Sequence, residues 1–485
     1  MIQKQSNLIS FKNTFLIFSG IFYLLMSVNV KAQNEDKQKP NVVFILADDL
    51  GYGDIGCYGQ HLIETPNIDR LAASGMKFTQ YYAGTSVCAP SRSSFMTGQH
   101  TGHTPIRGNY EIEPEGQLPL PDSAFTIAEM FKKAGYVTGA FGKWGLGFPA
   151  SEGAPGKQGF DEFYGYNCQR QSHNYFPDHL WDNNKRIELS NTITIQRQYA
   201  PDLFQKKALD FIKRNKKKPF FLYLPYTLPH AALQLSEGDS VFEYYKKKFK
   251  EEPKPVKAWD GKGYQPQPYP HSAYAAMITK LDNYVGEVIG ELKAAGLEEN
   301  TLIIFTSDNG PHMEGGNTPS FFNSNGNFRG IKRQLFEGGI REPMIASWPG
   351  IIKGGTTSDL ICAAWDFFPT FAAMVQQPLS PALDGLSLLP ALTQKGKQAK
   401  HDYLYWEFHE DGGRQAVRIG DWKGIRENVI KDLNGPVQLF NLANDPEEKN
   451  NIASENLLIV KKIETIMKES HVESPDFPFR KKSSK

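Results

Sequence analysis

Uninterrupted apolar runs along this chain alternate with stretches whose apolar residues recur every three or four positions. The first run, "NVVFILADDL" (residues 41–50), ends in two acids. Continuous apolar character predicts a strand buried on both faces, as in a parallel sheet covered by helices. "TPNIDRLAASG" then has helical spacing with Gly75 as its stop, and "SAFTIAEMFKKAG" predicts a helix capped by Ser123 and ended by Gly135. "YVTGAFGKW", "PFFLYLPY" and "TLIIFTSDNG" read as further strands, and "PDLFQKKALDFIKRN" and "HSAYAAMITKLDNYVGEVIGELKAAG" as helices. This alternation predicts an α/β large domain with a mostly parallel central sheet flanked by helices.

Two segments depart from it. Residues 246–270 ("KKKFKEEPKPVKAWDGKGYQPQPYP") are rich in Lys, Pro and Gly without any period, which predicts a surface excursion over the sheet. Beyond about Leu386, "HDYLYWEF", "GRQAVRIGDWKGIRE" and "VQLFNLA" predict short antiparallel strands, followed by a helix near Glu455–Glu469. The expected organisation is a signal segment (1–32), a catalytic domain (33–385) and a smaller C-terminal α+β subdomain (386–485) with an antiparallel sheet.

The signal rests on Lys4 and Lys12 ahead of "FLIFSGIFYLLMSV" and on small or β-branched Val30 and Ala32 at the cleavage position. The run is short for a bilayer span, so an exported protein is expected, periplasmic or secreted, without membrane attachment after cleavage. Past residue 32 the chain carries 51 basic and 53 acidic residues, a balance that supports neither nucleic acid nor anionic membrane as partner. Cys57, Cys88, Cys168 and Cys362 form no close-spaced framework, so neither disulfide staples nor structural zinc is expected.

Ligands of open α/β sheets bind beyond the carboxyl ends of the strands. Four predicted strands end there in reactive groups: Asp48 and Asp49, Lys143, His230, and Asp308 with Asn309. Singly, each is an ordinary turn or loop residue; together they suggest a site. Three carboxylates and an amide oxygen make a hard donor set suited to Ca²⁺ or Mg²⁺ rather than zinc. "CAPSRSSFMTG" adds a predicted helix start at Cys88, whose amino-terminal N–H groups, with Arg92, favour an anionic group, a thiolate among them.

Cys88-Ala89-Pro90-Ser91-Arg92 resembles the Cys-x-Pro-x-Arg signature of the type I, formylglycine-dependent sulfatases, arylsulfatase-like members of the alkaline phosphatase superfamily. "PNVVFILADDLGYGD", "TPNIDRLAASGMKFTQYY", "AFGKWGLG", "TSDNG" and "GIKRQLFEGGIREPMI" extend the resemblance along most of the chain. It implies that Asp48, Asp49, Asp308 and Asn309 hold Ca²⁺, and that a maturation enzyme converts Cys88 to formylglycine. It also implies that Arg92 braces that group, Lys143 and Lys332 grip the sulfate, and His230 serves the leaving oxygen. The hydrated aldehyde then offers one hydroxyl to attack sulfur and a second to expel sulfate, with an electrostatic clamp on the transition state and a general acid for the alcohol.

One position departs from the pattern. Many family members have histidine where "GKWGLG" has Gly145, which leaves His173 and His103 as candidate bases. The expected substrate is a sulfated sugar at a glycan terminus, a galactose or N-acetylgalactosamine sulfate, with Ser172, His173, His103, His409 and Arg414 as candidate contacts. Two other readings stand beside it: a phosphatase or phosphodiesterase of the same superfamily, and an inactive glycan-binding homologue. Asp308-Asn309-Gly310, where those phosphatases have Asp-His-Gly, speaks against the first.

Overall fold

The computed structural model describes residues 39–479 apart from Pro381, so the expected signal segment lies outside the described residues. Ten strands build the main sheet: β1 (Asn41–Asp48), β2 (Met76–Phe78), β3 (Val137–Lys143), β4 (Glu162–Tyr166), β5 (His179–Asp182), β6 (Lys185–Glu188), β7 (Phe220–Pro229), β8 (Thr301–Ser307), β9 (Met344–Ser347) and β10 (Thr356–Ser358). Their order is β10-β2-β9-β8-β1-β7-β3-β4-β5-β6. The strands β8, β1, β7, β3 and β4 run parallel at its centre, and antiparallel pairs occur towards the edges.

The continuous apolar run of β1 has the predicted reason. Val43, Ile45 and Ala47 belong to one apolar core, whereas Val42, Phe44 and Leu46 belong to the other. Side chains alternate between faces, so a strand covered on both sides needs apolar residues at every position.

Helix Ile127–Lys133 starts later than the Ser123 cap predicts. Thr126 is the N-cap: its Oγ1 accepts from the Glu129 amide at 3.2 Å, and Glu129 Oε2 accepts from the Thr126 amide at 2.9 Å. Only Thr126 has a Glu three residues on, and this reciprocal capping box decides the start.

At the C-terminal end, β11 (Leu404–Phe408), β12 (Arg414–Ile419), β13 (Trp422–Glu427) and β14 (Val437–Asn441) form the expected antiparallel sheet. One face takes Ile463, Ile466 and Met467 of helix Leu457–Glu469 onto Tyr405, Val417 and Leu439. From the other, Trp406, Phe408, Ala416 and Ile425 pack against Tyr82, Leu335, Ile340 and Trp365. Through that second face the chain from Pro40 onward is one compact unit.

Buried Lys423 ties the small sheet to the segment that carries Lys332. Its Nζ lies 2.8 Å from Glu337 Oε1 and 3.1 Å from Glu448 Oε1, all three side chains being fully buried. Glu337 also accepts from Tyr82 Oη at 2.7 Å and from Arg341 at 3.1 Å.

Candidate active site

The central strands β8, β1, β7 and β3 lie side by side, and all four point their carboxyl ends the same way. β1 ends at Asp48 with Asp49 next, β3 ends at Lys143, β7 is followed by His230, and β8 by Asp308 and Asn309. Adjacency in the sheet therefore gathers groups spread over some 260 positions of sequence. Asp49 turns the chain out of β1 with φ 63°, a left-handed conformation that Asp tolerates better than most residues.

Helix Cys88–Thr97 points its amino terminus into this cluster and is closed by Gly98 at φ 68°. Cys88 Sγ lies 3.4 Å from Asp48 Oδ1 and 4.0 Å from Asp49 Oδ1. One turn on, Arg92 donates from Nε and Nη2 to Asp308 Oδ2 at 3.0 and 2.8 Å, and from Nη1 to the Lys143 carbonyl at 2.5 Å. Lys143 Nζ donates to Asp48 Oδ2 at 2.7 Å. Lys332 Nζ donates to Asp49 Oδ2 at 2.7 Å and lies 2.9 Å from His230 Nε2. Every one of these side chains is buried.

Burial raises the carboxyl of Asp48, but Lys143, His230, Arg92 and Lys332 together hold it far below the usual carboxylate range. Asp308 goes the other way, to about 7, because burial and the charge of Asp48 outweigh Arg92. Burial and the Asp48 carboxylate push the Cys88 thiol far up. Burial first, and then the Asp48 carboxylate, oppose the thiolate that a helix start and Arg92 alone would favour. Burial and Lys332 push His230 well down, towards neutral imidazole. That suits a ring with Nδ1 at 2.5 Å from the Ala231 carbonyl and Nε2 facing the Lys332 ammonium.

Asp48, Asp49, Asp308 and Asn309 suit a hard divalent cation in donor chemistry. Asn309 adds an independent sign, because its Oδ1 is buried without a hydrogen-bond partner while its Nδ2 donates to Asp49 Oδ1 at 2.7 Å. A buried oxygen without a hydrogen-bond partner beside carboxylates fits the donor set of a hard divalent cation.

The expected substrate contacts fare unequally. His173 stacks on His230, with ring centroids 4.8 Å apart and planes within 5°. Ser172, beside it, spends its hydroxyl on the Gln169 carbonyl at 2.6 Å. His103 sits in another cluster, with Nδ1 2.9 Å from Asp384 Oδ1 and its ring on His100 at 4.2 Å. Its ring thus meets Asp384 and His100 rather than any of the strand-end groups. His409 is turned to Glu407 at 2.8 Å and stacks on Phe479 at 4.1 Å. Arg414 lies over the Phe408 ring at 5.3 Å, 3.6 Å from Glu427. Of the five, only His173 touches a catalytic group among the described residues.

Sequence reasoning missed Tyr264. It lies on the 250–269 excursion, which has neither helix nor strand, yet its ring is 4.9 Å from His173 and 6.1 Å from His230. Burial raises its phenol, and Lys332, Glu314, Asp49 and Cys88 all act on it. A tyrosine in a Lys/Pro/Gly-rich stretch gives no signal of this. Glu314 and Arg333, paired at 2.5 Å beside His312 and Lys332, were missed as well, because only the fold brings residue 314 against residue 333.

Comparison with known proteins gives the geometry its context. The family model described as "Sulfatase" matches residues 40–376, and one described as "N-sulphoglucosamine sulphohydrolase, C-terminal" matches 326–473. The N-acetylgalactosamine-6-sulfatase of Canis lupus familiaris is 34% identical over 406 residues, 80% of this chain and 71% of that protein. Arylsulfatase A of Homo sapiens is 34% identical over 456 residues, 85% and 83% of the two chains. Among solved structures, that of Ps i-CgsB superimposes with a TM-score of 0.75 at 31% identity, covering 91% of this chain and 95% of the other.

Proposed function

The chain belongs to the sulfatase family, as a type I member of the alkaline phosphatase superfamily and a sulfuric ester hydrolase; on that premise we propose that it removes sulfate from carbohydrate, as an exported enzyme acting on a terminal sulfated galactose or N-acetylgalactosamine. The observation that carries the reading is the convergence of Cys88, Lys143, His230 and Lys332 at the ends of adjacent parallel strands. Support for sugar comes from relatives named for N-acetylgalactosamine-6-sulfate and from a solved Ps i-CgsB complex with k-i-k-neocarrahexaose.

Lys143 and Lys332 carry the positive charge that a sulfate ester needs as its oxygens gain charge. Lys143 reaches the cluster from the end of β3 and Lys332 from the turn ahead of helix Glu337–Ile340, the first meeting Asp48 and the second Asp49. Arg92 holds Asp308 and the Lys143 backbone in place. His230 stands against Lys332 with its ring fixed by the Ala231 carbonyl, positioned to give a proton to the departing sugar oxygen. The anionic ester beside it favours the protonated ring that burial and Lys332 oppose. Formylglycine formed from Cys88 would supply a hydrated carbon with two hydroxyls beside Asp48 and Lys143. Asp48, Asp49, Asp308 and Asn309 would hold Ca²⁺, which would supply further positive charge to the site.

Mass spectrometry of the peptide spanning Cys88, from the protein of its native host, tests the reading together with a panel of sulfated monosaccharides and phosphate esters. Conversion of Cys88 and sulfate release from a sugar are expected. An intact thiol with no release favours a glycan-binding homologue, and preferred cleavage of phosphate esters favours the phosphatase reading.

A further inference from the structure

Gly145 raises a question that the family pattern leaves open: what stands where its side chain would be. A Cβ there would lie 2.1 Å from Nε2 of Gln169, at a backbone φ of 76° that disfavours any other residue. The space beside Gly145, two residues past Lys143, therefore belongs to the Gln169 amide.

That amide has no partner. Nε2 and Oε1 of Gln169 are buried without a hydrogen bond, and so are Nδ2 and Oδ1 of Asn167 and Nε2 of Gln117. The three side chains are 4%, 1% and 0% exposed. They are linked through the backbone: the Gly145 N–H donates to the Asn167 carbonyl at 3.0 Å, and the Gln169 backbone N–H donates to Gln117 Oε1 at 3.3 Å. Buried amides are almost always satisfied, and five unmet atoms on three side chains linked through the backbone of Gly145 and Gln169 are a concentration that folding alone does not favour.

The unmet atoms include both donors and acceptors. Sulfuryl oxygens only accept, so they match half of this set; hydroxyl groups donate and accept and match all of it. The group adjoins Lys143 on one side. On the other, Gln169 leads into the Gln171–His173 turn, whose His173 ring lies on His230.

We infer that Gln117, Asn167 and Gln169 form an uncharged subsite that binds the hydroxyl groups of the sugar whose ester Lys143 and Lys332 hold. The inference rests on the carbohydrate reading above and adds how the ring is recognised. Gly145 is then a requirement of the subsite, since any side chain would displace the Gln169 amide.

The test uses Gln169→Leu and Asn167→Leu in the mature enzyme, with KM and kcat for the best sulfated monosaccharide, the same constants for 4-nitrophenyl sulfate, and thermal melting. KM for the sugar should rise about tenfold or more, with the aryl ester, which has no ring hydroxyls, affected far less. Melting should stay level or rise, because leucine removes unmet polar atoms from a buried place. Equal losses on both esters, or unchanged sugar constants, would overturn the subsite; lower melting with unchanged constants would show the amides to be satisfied by trapped water. A wild type that cleaves the aryl ester but no sugar overturns the carbohydrate reading and the subsite together. A sugar-active wild type with indifferent variants overturns the subsite alone.

Discussion

Asn309 gives its amide nitrogen to Asp49 Oδ1 at 2.7 Å and keeps its own Oδ1 buried without a partner. The nitrogen orients the side chain, and the unpartnered oxygen supports the proposal that Asn309 ligates a cation. Chelation should therefore lower both turnover and melting temperature of the wild type, and Ca²⁺ should restore both. Asn309→Ala should bind Ca²⁺ at least ~10-fold more weakly, read by calorimetry and by loss of the Ca²⁺-dependent rise in melting. A variant that keeps the full rise would remove Asn309 from the ligand set.

His230 serves the leaving oxygen only if that oxygen needs a proton. An alkoxide leaves poorly and a phenolate leaves readily, so His230→Ala should slow sulfated sugars by about 10²–10³-fold and aryl sulfates much less. Equal losses on both esters would assign the ring to binding alone.

Lys423, fully buried, pairs its single charge with both Glu337 and Glu448. Glu448 is raised to about 7 by burial even with the lysine present. Lys423→Met leaves that pair unbalanced and should destabilise by about 3–5 kcal/mol, the cost of breaking a buried ion pair. Urea unfolding measures it, and Lys423→Met with Glu448→Gln should recover part of the loss.

Glu407 sets an acid limit on stability. Buried as it is, hydrogen bonds from His409 and His471 bring it from the ordinary 4.5 to about 2. A lowered folded value means stability fully present above about 4.5 and lost as pH falls through about 2, worth roughly 3 kcal/mol at most. His471 is raised by the same carboxylate, so its contribution is full below 6.5 and fades as pH rises through its folded value. Melting against pH should show both limbs, and Glu407→Gln should flatten them. An unchanged acid limb would place the effect elsewhere.

The chemistry at the strand ends was legible because it is local: Asp48, Lys143 and Asp308 each sit one step from an apolar run whose direction the fold class dictates. Ser123 failed as a cap because a reciprocal partner at N3, Glu129 for Thr126, outweighs a lone serine. His409 turns to Glu407, and Arg414 lies over the Phe408 ring, both in the small sheet rather than beside the strand-end cluster, a placement that no local pattern shows.

By itself the sequence determined the α/β class and the parallel centre of the sheet, and it picked out the groups Asp48, Asp49, Lys143, His230, Asp308 and Asn309 that the strand ends bring together, since periodicity and strand-end chemistry act over short stretches of chain. Only the tertiary structure decided which groups face them: Tyr264 over His173, Lys423 between two glutamates, and the Gln169 amide in the space of Gly145. Those are meetings of segments separated along the chain, governed by close packing and by the need of buried polar atoms for partners, and no local pattern encodes either.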